Sequence, residues 1–159
     1  MNTINGLPLH PLLVHIVVVL VPLSALMAIA AVCWPAARAR LGTLTPLVAL
    51  VALIALPLTT SAGESLEEQV GPSAAIERHA GFGEQVIYWV GPLFALAVVW
   101  WALHNERVTT AVHARIPASS KLSQRAVAVA LGVALVVVAL GSLYIVFRTG
   151  ESGARSVWS

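Results

Sequence analysis

The stretch Pro11–Trp34, PLLVHIVVVLVPLSALMAIAAVCW, decides the fold of this chain, because its 24 residues include no Asp, Glu, Lys or Arg. A bilayer core about 30 Å thick needs about 20 apolar residues of helix to cross it. Three more uncharged windows of similar length follow along the chain: Leu41–Ala62, Gln85–Asn105 and Ala126–Phe147. The sequence therefore predicts four membrane-spanning helices.

The composition excludes a soluble enzyme. Of the 159 residues, 58% are hydrophobic and only 10% are charged, whereas soluble domains carry about 25% charged residues. The net charge of +2 comes from few ionisable groups rather than from a basic patch, so nucleic acid is not expected as a partner. Cys33 is the only cysteine in the sequence, which excludes an intrachain disulfide and a thiolate-rich metal site.

The predicted fold is an all-α four-helix transmembrane bundle forming one domain over residues 1–159. A membrane β-barrel would show short alternating segments instead of apolar runs such as Val133–Leu140. We place the helices at about residues 11–34, 42–62, 73–104 and 124–148. Four prolines in these segments are expected to bend them: Pro22, Pro46, Pro57 and Pro92.

The charge distribution predicts the orientation. Residues 1–9 carry no charge, which argues against a signal peptide. Six of the nine basic residues fall in the first and third loops, so the positive-inside rule predicts both termini outside a bacterial plasma membrane. The polar segment Thr59–Pro72 predicts a short surface helix between helices 2 and 3, and Ser73 is expected to cap the helix that follows.

Three histidines fall in the predicted outer half of the bundle. His15 is an ionisable residue inside an otherwise apolar helix, which usually marks a functional site, although a neutral imidazole bonded to a backbone carbonyl is the alternative. His10 lies five residues earlier, about 140° around the helix, so the two do not share a face. His79 lies at the outer start of helix 3, next to Gly81 and Gly83.

Two histidines at similar depth on different helices are typical of a haem or metal site in a bundle. Our first hypothesis is an electron-transfer protein that binds haem b through His15 and His79 near the outer face. A second hypothesis is a copper or zinc site built from His10, His15, His79 and Glu64. A third hypothesis is a cofactor-free accessory subunit of a larger membrane complex. No hydrolase or nucleotide-binding motif is present in the sequence, so it does not indicate an enzymatic activity, and that question is left open.

Four motifs carry a family resemblance: LPLHPLLVH at 7–15, SAGE at 61–64, IERH at 76–79 and RTGESGARSVW at 148–158. Together they resemble the bacterial membrane proteins of domain-of-unknown-function family 2231, and the last motif is similar to the actinobacterial branch. The chain departs from that pattern at residues 16–18, where relatives often carry a Phe-Pro pair.

The resemblance implies a four-helix membrane domain, which in this family is sometimes fused to cytochrome c-like or Rieske-like modules. The fusion of family members to redox modules implies electron transfer with a redox partner or within a larger respiratory complex. A homo-oligomer is left open. The residues that match the family by position are His10, His15, Gly63, Glu64 and His79.

Overall fold

Four long helices dominate the structure, a computed structural model that describes residues 3–4, 7–71, 73–113 and 121–158. The elements in chain order are β1 (Thr3–Ile4), β2 (Leu7–Pro8), α1 (Leu9–Cys33), α2 (Pro35–Leu41), α3 (Leu44–Val70), α4 (Ala74–Leu103), α5 (Glu106–His113) and α6 (Lys121–Trp158). The two strands pair antiparallel. The helices α1, α3, α4 and α6 are each long and apolar enough to cross a membrane, which confirms the predicted all-α class.

The four long helices form a ring in which every neighbour is antiparallel. The helix α1 packs on α3 and α6, and α4 packs on the same two helices, so α1 and α4 lie diagonally opposite and barely touch. This order brings the start of α1 and α4 and the end of α3 and α6 together at one end of the bundle. We call it the histidine end, because it holds His10 and His79.

Small residues let the helices approach closely in the other half of the bundle. Ala25, Ala28 and Ala97 are at most 2% exposed and pack around Leu93 and Leu135. Small side chains at helix contacts are typical of membrane bundles, where packing rather than water exclusion holds helices together. Large apolar side chains such as Val19 and Leu26 instead lie on the outer surface, where they contact lipid.

The polar segment after the second span differs from its prediction. It continues α3 to Val70 instead of forming a separate surface helix. Hydroxyl groups in this part of the chain bond to carbonyls of their own helix, as Thr59 Oγ1 does to Ala55 O at 2.7 Å, so polar residues do not interrupt it. The chain leaves α3 only at Gly71, whose φ of 84° favours glycine.

The helix ends explain two further sequence features. Ser73 caps α4 as predicted, since its side chain accepts a hydrogen bond from Ile76 N at 3.2 Å. Pro46 is the third residue of α3. A backbone N–H at this position has no acceptor within the helix, so a proline, which lacks the N–H, breaks no helical hydrogen bond there. Pro46 is therefore not an interior proline, whereas Pro22 and Pro57 do lie inside continuous helices.

The last helix also runs further than predicted. It continues past residue 148 to Trp158. The side chains of Glu151 and Arg155, one turn apart, form an ion pair with a distance of 2.7 Å between Oε1 and Nη2. The extension places Thr149 and Ser152 beside α4.

Candidate functional site

His79 lies two turns into α4 and is held by the end of α6. A carbonyl oxygen can only accept a hydrogen bond, so Nδ1 of His79 is the donor to Thr149 O at 3.1 Å. The same nitrogen lies 3.2 Å from Ser152 Oγ, which in turn donates to Thr149 O at 2.8 Å. Gly153 leaves the space that the ring occupies, because a Cβ there would lie 2.9 Å from Cε1 of His79.

His10 lies in the first turn of α1 and is held by α3 in the same way. Its Nδ1 donates to Thr59 O, the two atoms being 2.9 Å apart. Gly63, one turn further along α3, has no side chain, and a Cβ there would lie 3.0 Å from the ring of His10. Each histidine thus rests on a glycine and donates to a main-chain carbonyl of the neighbouring helix.

The two imidazole rings meet across the core. Their centroids are 6.3 Å apart and their planes are at 84° to each other. With Nδ1 protonated on each neutral ring, Nε2 carries the lone pair on both. Both rings border a small cavity of about 80 Å³ whose walls are mainly apolar, with Val14, Leu56 and Val86 among them. The pair therefore offers two basic nitrogens in surroundings with few competing polar groups.

The other predicted ligands lie elsewhere. The side chain of His15 is exposed and its Nδ1 bonds to Pro11 O of its own helix. Glu64 is also exposed. Within the part of the chain that the structure describes, no three His, Cys, Asp or Glu side chains come close enough to hold a metal ion together. The structure thus brings His79 together with His10, and not with His15, the partner that the first hypothesis assigned to it.

The pair suits some cofactors better than others. Structural zinc takes four protein ligands, more than this pair provides. Haem iron needs only two axial ligands, but ligand pockets generally measure about 300–1,000 Å³, so a porphyrin does not fit the 80 Å³ cavity in this arrangement. The separation of the ring centroids, 6.3 Å, is compatible with two nitrogens each about 2.0–2.1 Å from a shared metal ion.

Sequence reasoning missed the groups that orient the two histidines. Thr59 and Thr149 contribute main-chain carbonyls, which any residue could supply, so no side-chain pattern marks them. Gly63 and Gly153 do leave a signal, because each is a glycine on a membrane helix with no turn to explain it. The family motif around residues 61–64 includes the first of these glycines.

These features define a multi-pass α-helical membrane protein with a histidine pair at one end of its bundle. The chain belongs to the family described as "Predicted membrane protein (DUF2231)", which it matches over residues 6–159. This match confirms the resemblance found in the sequence. Comparisons with curated proteins and with solved structures give no match to this chain.

Proposed function

We propose that the protein binds a redox-active metal ion, copper in the first place, through Nε2 of His10 and His79 and transfers single electrons at that end of the membrane. The observation that carries the proposal is the pair of neighbouring, nearly perpendicular rings, each with Nδ1 bonded to a main-chain carbonyl. Histidines that bind metals generally donate the other ring N–H to a carbonyl or carboxylate, which fixes the tautomer and orients the ring.

Copper is favoured by the number and type of ligands. Imidazole nitrogens bind copper well, and Cu(I) accepts coordination by two ligands, which matches the two imidazoles available. A bound copper ion would supply the one-electron chemistry. His10 and His79 would hold it, and apolar side chains such as Val14 and Val86 would limit the access of water.

Haem b is the second candidate. It is favoured by one observation, namely that His10 and His79 belong to α1 and α4, which lie diagonally opposite and barely touch. Two axial imidazoles with no third protein ligand are also what haem iron requires. Porphyrin binding would require these helices to move apart and enlarge the cavity between the rings.

The test is to purify the full chain in mild detergent, measure bound iron, copper and zinc, and record visible spectra in both oxidation states. We expect about one copper ion per chain, lost in His10→Gln and in His79→Gln. His15→Gln is the matched control, because His15 has the same Nδ1–carbonyl bond but faces outward, and it should keep the metal.

Other outcomes separate the alternatives. A Soret band would assign the site to haem, and its loss in His15→Gln and His79→Gln, but not in His10→Gln, would restore the pairing of His15 with His79. Loss of copper in all three variants would contradict a specific site at His10. A wild-type protein that takes up neither metal nor haem would favour the cofactor-free accessory subunit.

A further inference from the structure

A larger cavity, of about 520 Å³, opens at the opposite end of the bundle. It lies where the last turns of α1 and α4 meet α2 and the start of α3. Its lining combines the polar side chains of Arg38, Thr45 and Trp100 with apolar ones that include Ala28 and Leu135. We call it the Arg38 cavity.

Two residues of the cavity wall, Thr45 and Trp100, carry hydrogen-bond donors that are buried without a partner among the described residues. Thr45 is only 5% exposed and Trp100 only 7%. Neither Oγ1 of Thr45 nor Nε1 of Trp100 has a hydrogen-bond partner among the residues that the structure describes. Burying a donor without an acceptor costs free energy, so an acceptor oxygen that reaches either group, once its side chain turns toward the cavity, would recover that cost.

Arg38 adds a positive charge that is already fixed in place. Its Nε and Nη2 atoms donate to Ala31 O at 2.9 Å and Val32 O at 3.3 Å, two carbonyls at the end of α1. The guanidinium carbon lies 5.1 Å from the centroid of the Trp100 ring. A guanidinium has five N–H donors, and within the described residues Arg38 forms no ion pair with a carboxylate. Donor capacity and charge are therefore both left for a ligand.

The N-terminus of α3 also favours an anionic ligand. This helix begins at Leu44, next to Thr45 in the cavity wall. The first N–H groups of a helix lack intrahelical acceptors and carry a partial positive charge, which favours anions. The donors, the charge and the helix start thus all select an anionic group with several acceptor oxygens.

We propose that the Arg38 cavity binds the phosphate of an anionic phospholipid, with Arg38, Thr45 and Trp100 as donors. A lipid is favoured over a soluble anion because the cavity lies at the end of the membrane-spanning helices and has apolar walls such as Ala28 and Leu135. Basic pockets between membrane helices are known to bind anionic headgroups. The inference is independent of the histidine pair at the other end.

The test measures binding of short-chain phosphatidylglycerol to the delipidated full chain by calorimetry. We expect phosphatidylglycerol to bind at least tenfold more tightly than phosphatidylcholine of the same chain length. Arg38→Gln should weaken binding about tenfold, because it removes a hydrogen bond to a charged group. Thr45→Val, which keeps the shape of the side chain, should weaken it several-fold.

Arg40→Gln is the matched control. Arg40 lies two residues further along the same short helix, is exposed and does not line the cavity. Equal losses in Arg38→Gln and Arg40→Gln would show attraction to surface charge and overturn the proposal, as would unchanged binding in Thr45→Val. Inorganic phosphate that binds as tightly as the lipid would overturn the lipid assignment and assign the same donors to a soluble anion.

Discussion

The two candidate sites lie at opposite ends of the bundle and differ in the kind of hydrogen-bonding group that they leave without a partner. At the histidine end, Nδ1 of both His10 and His79 is already bonded to a carbonyl, so the groups left over on these two rings are lone pairs. At the other end, Thr45 and Trp100 have donors that find no partner within the described part of the chain, near the cation of Arg38. Lone pairs attract metal cations and unpaired donors attract anions, so one small bundle presents two sites of opposite preference.

The packing of the two ends differs as well. At the histidine end, Gly63 and Gly153 bring helix backbone against the imidazoles, and the cavity that borders both rings measures about 80 Å³. At the Arg38 end, the short helix α2 and the break before α3 leave about 520 Å³. The small cavity fits an ion, and the large one fits a headgroup.

The largest effect on stability should come from filling the space behind His79. In Gly153→Ala, the new Cβ would lie 2.9 Å from Cε1 of His79, and overpacking of this kind costs about 1–3 kcal/mol. Gly150→Ala is the control on the same helix, because a Cβ there meets nothing within 4 Å. It should stabilise the protein by about 0.5–1 kcal/mol through the higher helix propensity of alanine.

The measurement is the free energy of unfolding in mild detergent, followed by the loss of helical circular dichroism. Gly153→Ala should also displace the ring of His79 and so lower the metal content. Equal free energies of unfolding for Gly153→Ala and Gly150→Ala would show that the helices are not tightly packed around His79. The proposed difference in packing between the histidine end and the Arg38 end would then be wrong.

An effect of similar size for each variant, but of opposite sign at the two ends, should come from replacing threonine by valine at both ends. Thr45→Val removes a buried hydroxyl that has no partner among the residues the structure describes, so it should stabilise the lipid-free protein by about 1–3 kcal/mol. Thr59→Val removes a buried hydroxyl that donates to Ala55 O at 2.7 Å, so it should destabilise the protein by about 0.5–1.5 kcal/mol.

Opposite signs for the two variants, measured by the same unfolding assay, would confirm that the hydroxyl of Thr45 lacks the acceptor that the hydroxyl of Thr59 has. Destabilisation by Thr45→Val would mean that its hydroxyl has a partner in solution. An added anionic lipid should cancel the gain in Thr45→Val, since the wild type recovers its missing acceptor when the lipid binds.

The sequence was sufficient for the number and type of the membrane helices but not for all their ends. Uncharged windows of more than 20 residues have few structural alternatives in lipid. Polar residues alone did not mark the ends, because α3 and α6 continue through polar segments to Val70 and Trp158, with hydroxyls such as Thr59 Oγ1 bonded to a carbonyl of their own helix. The predicted orientation with both termini outside stays a prediction.

The candidate site was only partly predictable, and the reason is physical. The first hypothesis chose His15 rather than His10 because His15 lies deeper in an apolar run. Near His15, however, α1 is apolar on all sides, so no periodicity in the sequence shows which face of the helix is buried. The structure places His10 against α3 and leaves His15 exposed. The Arg38 cavity was not predictable, because an unpartnered Thr45 differs from a partnered Thr59 only in its surroundings.

The smallest effect should come from the hydroxyl that supports His79. Ser152→Ala removes the group 3.2 Å from Nδ1 but leaves the bond to Thr149 O, so the ring keeps its tautomer and loses part of its orientation. Loss of such a supporting bond typically lowers metal affinity about 10–100-fold, and we expect the lower limit here because one acceptor remains.

Ser142→Ala is the control for the serine itself. Ser142 is buried on the same helix and its hydroxyl also donates to a carbonyl one turn back, Val138 O at 2.9 Å, but it lies away from the histidines. Both variants lose a hydroxyl bond within α6, so the difference in their copper affinity, measured by competition with a chelator, isolates the contact with His79. Equal affinities would mean that Thr149 O alone holds the ring, and the copper proposal would then depend on the two carbonyl bonds only.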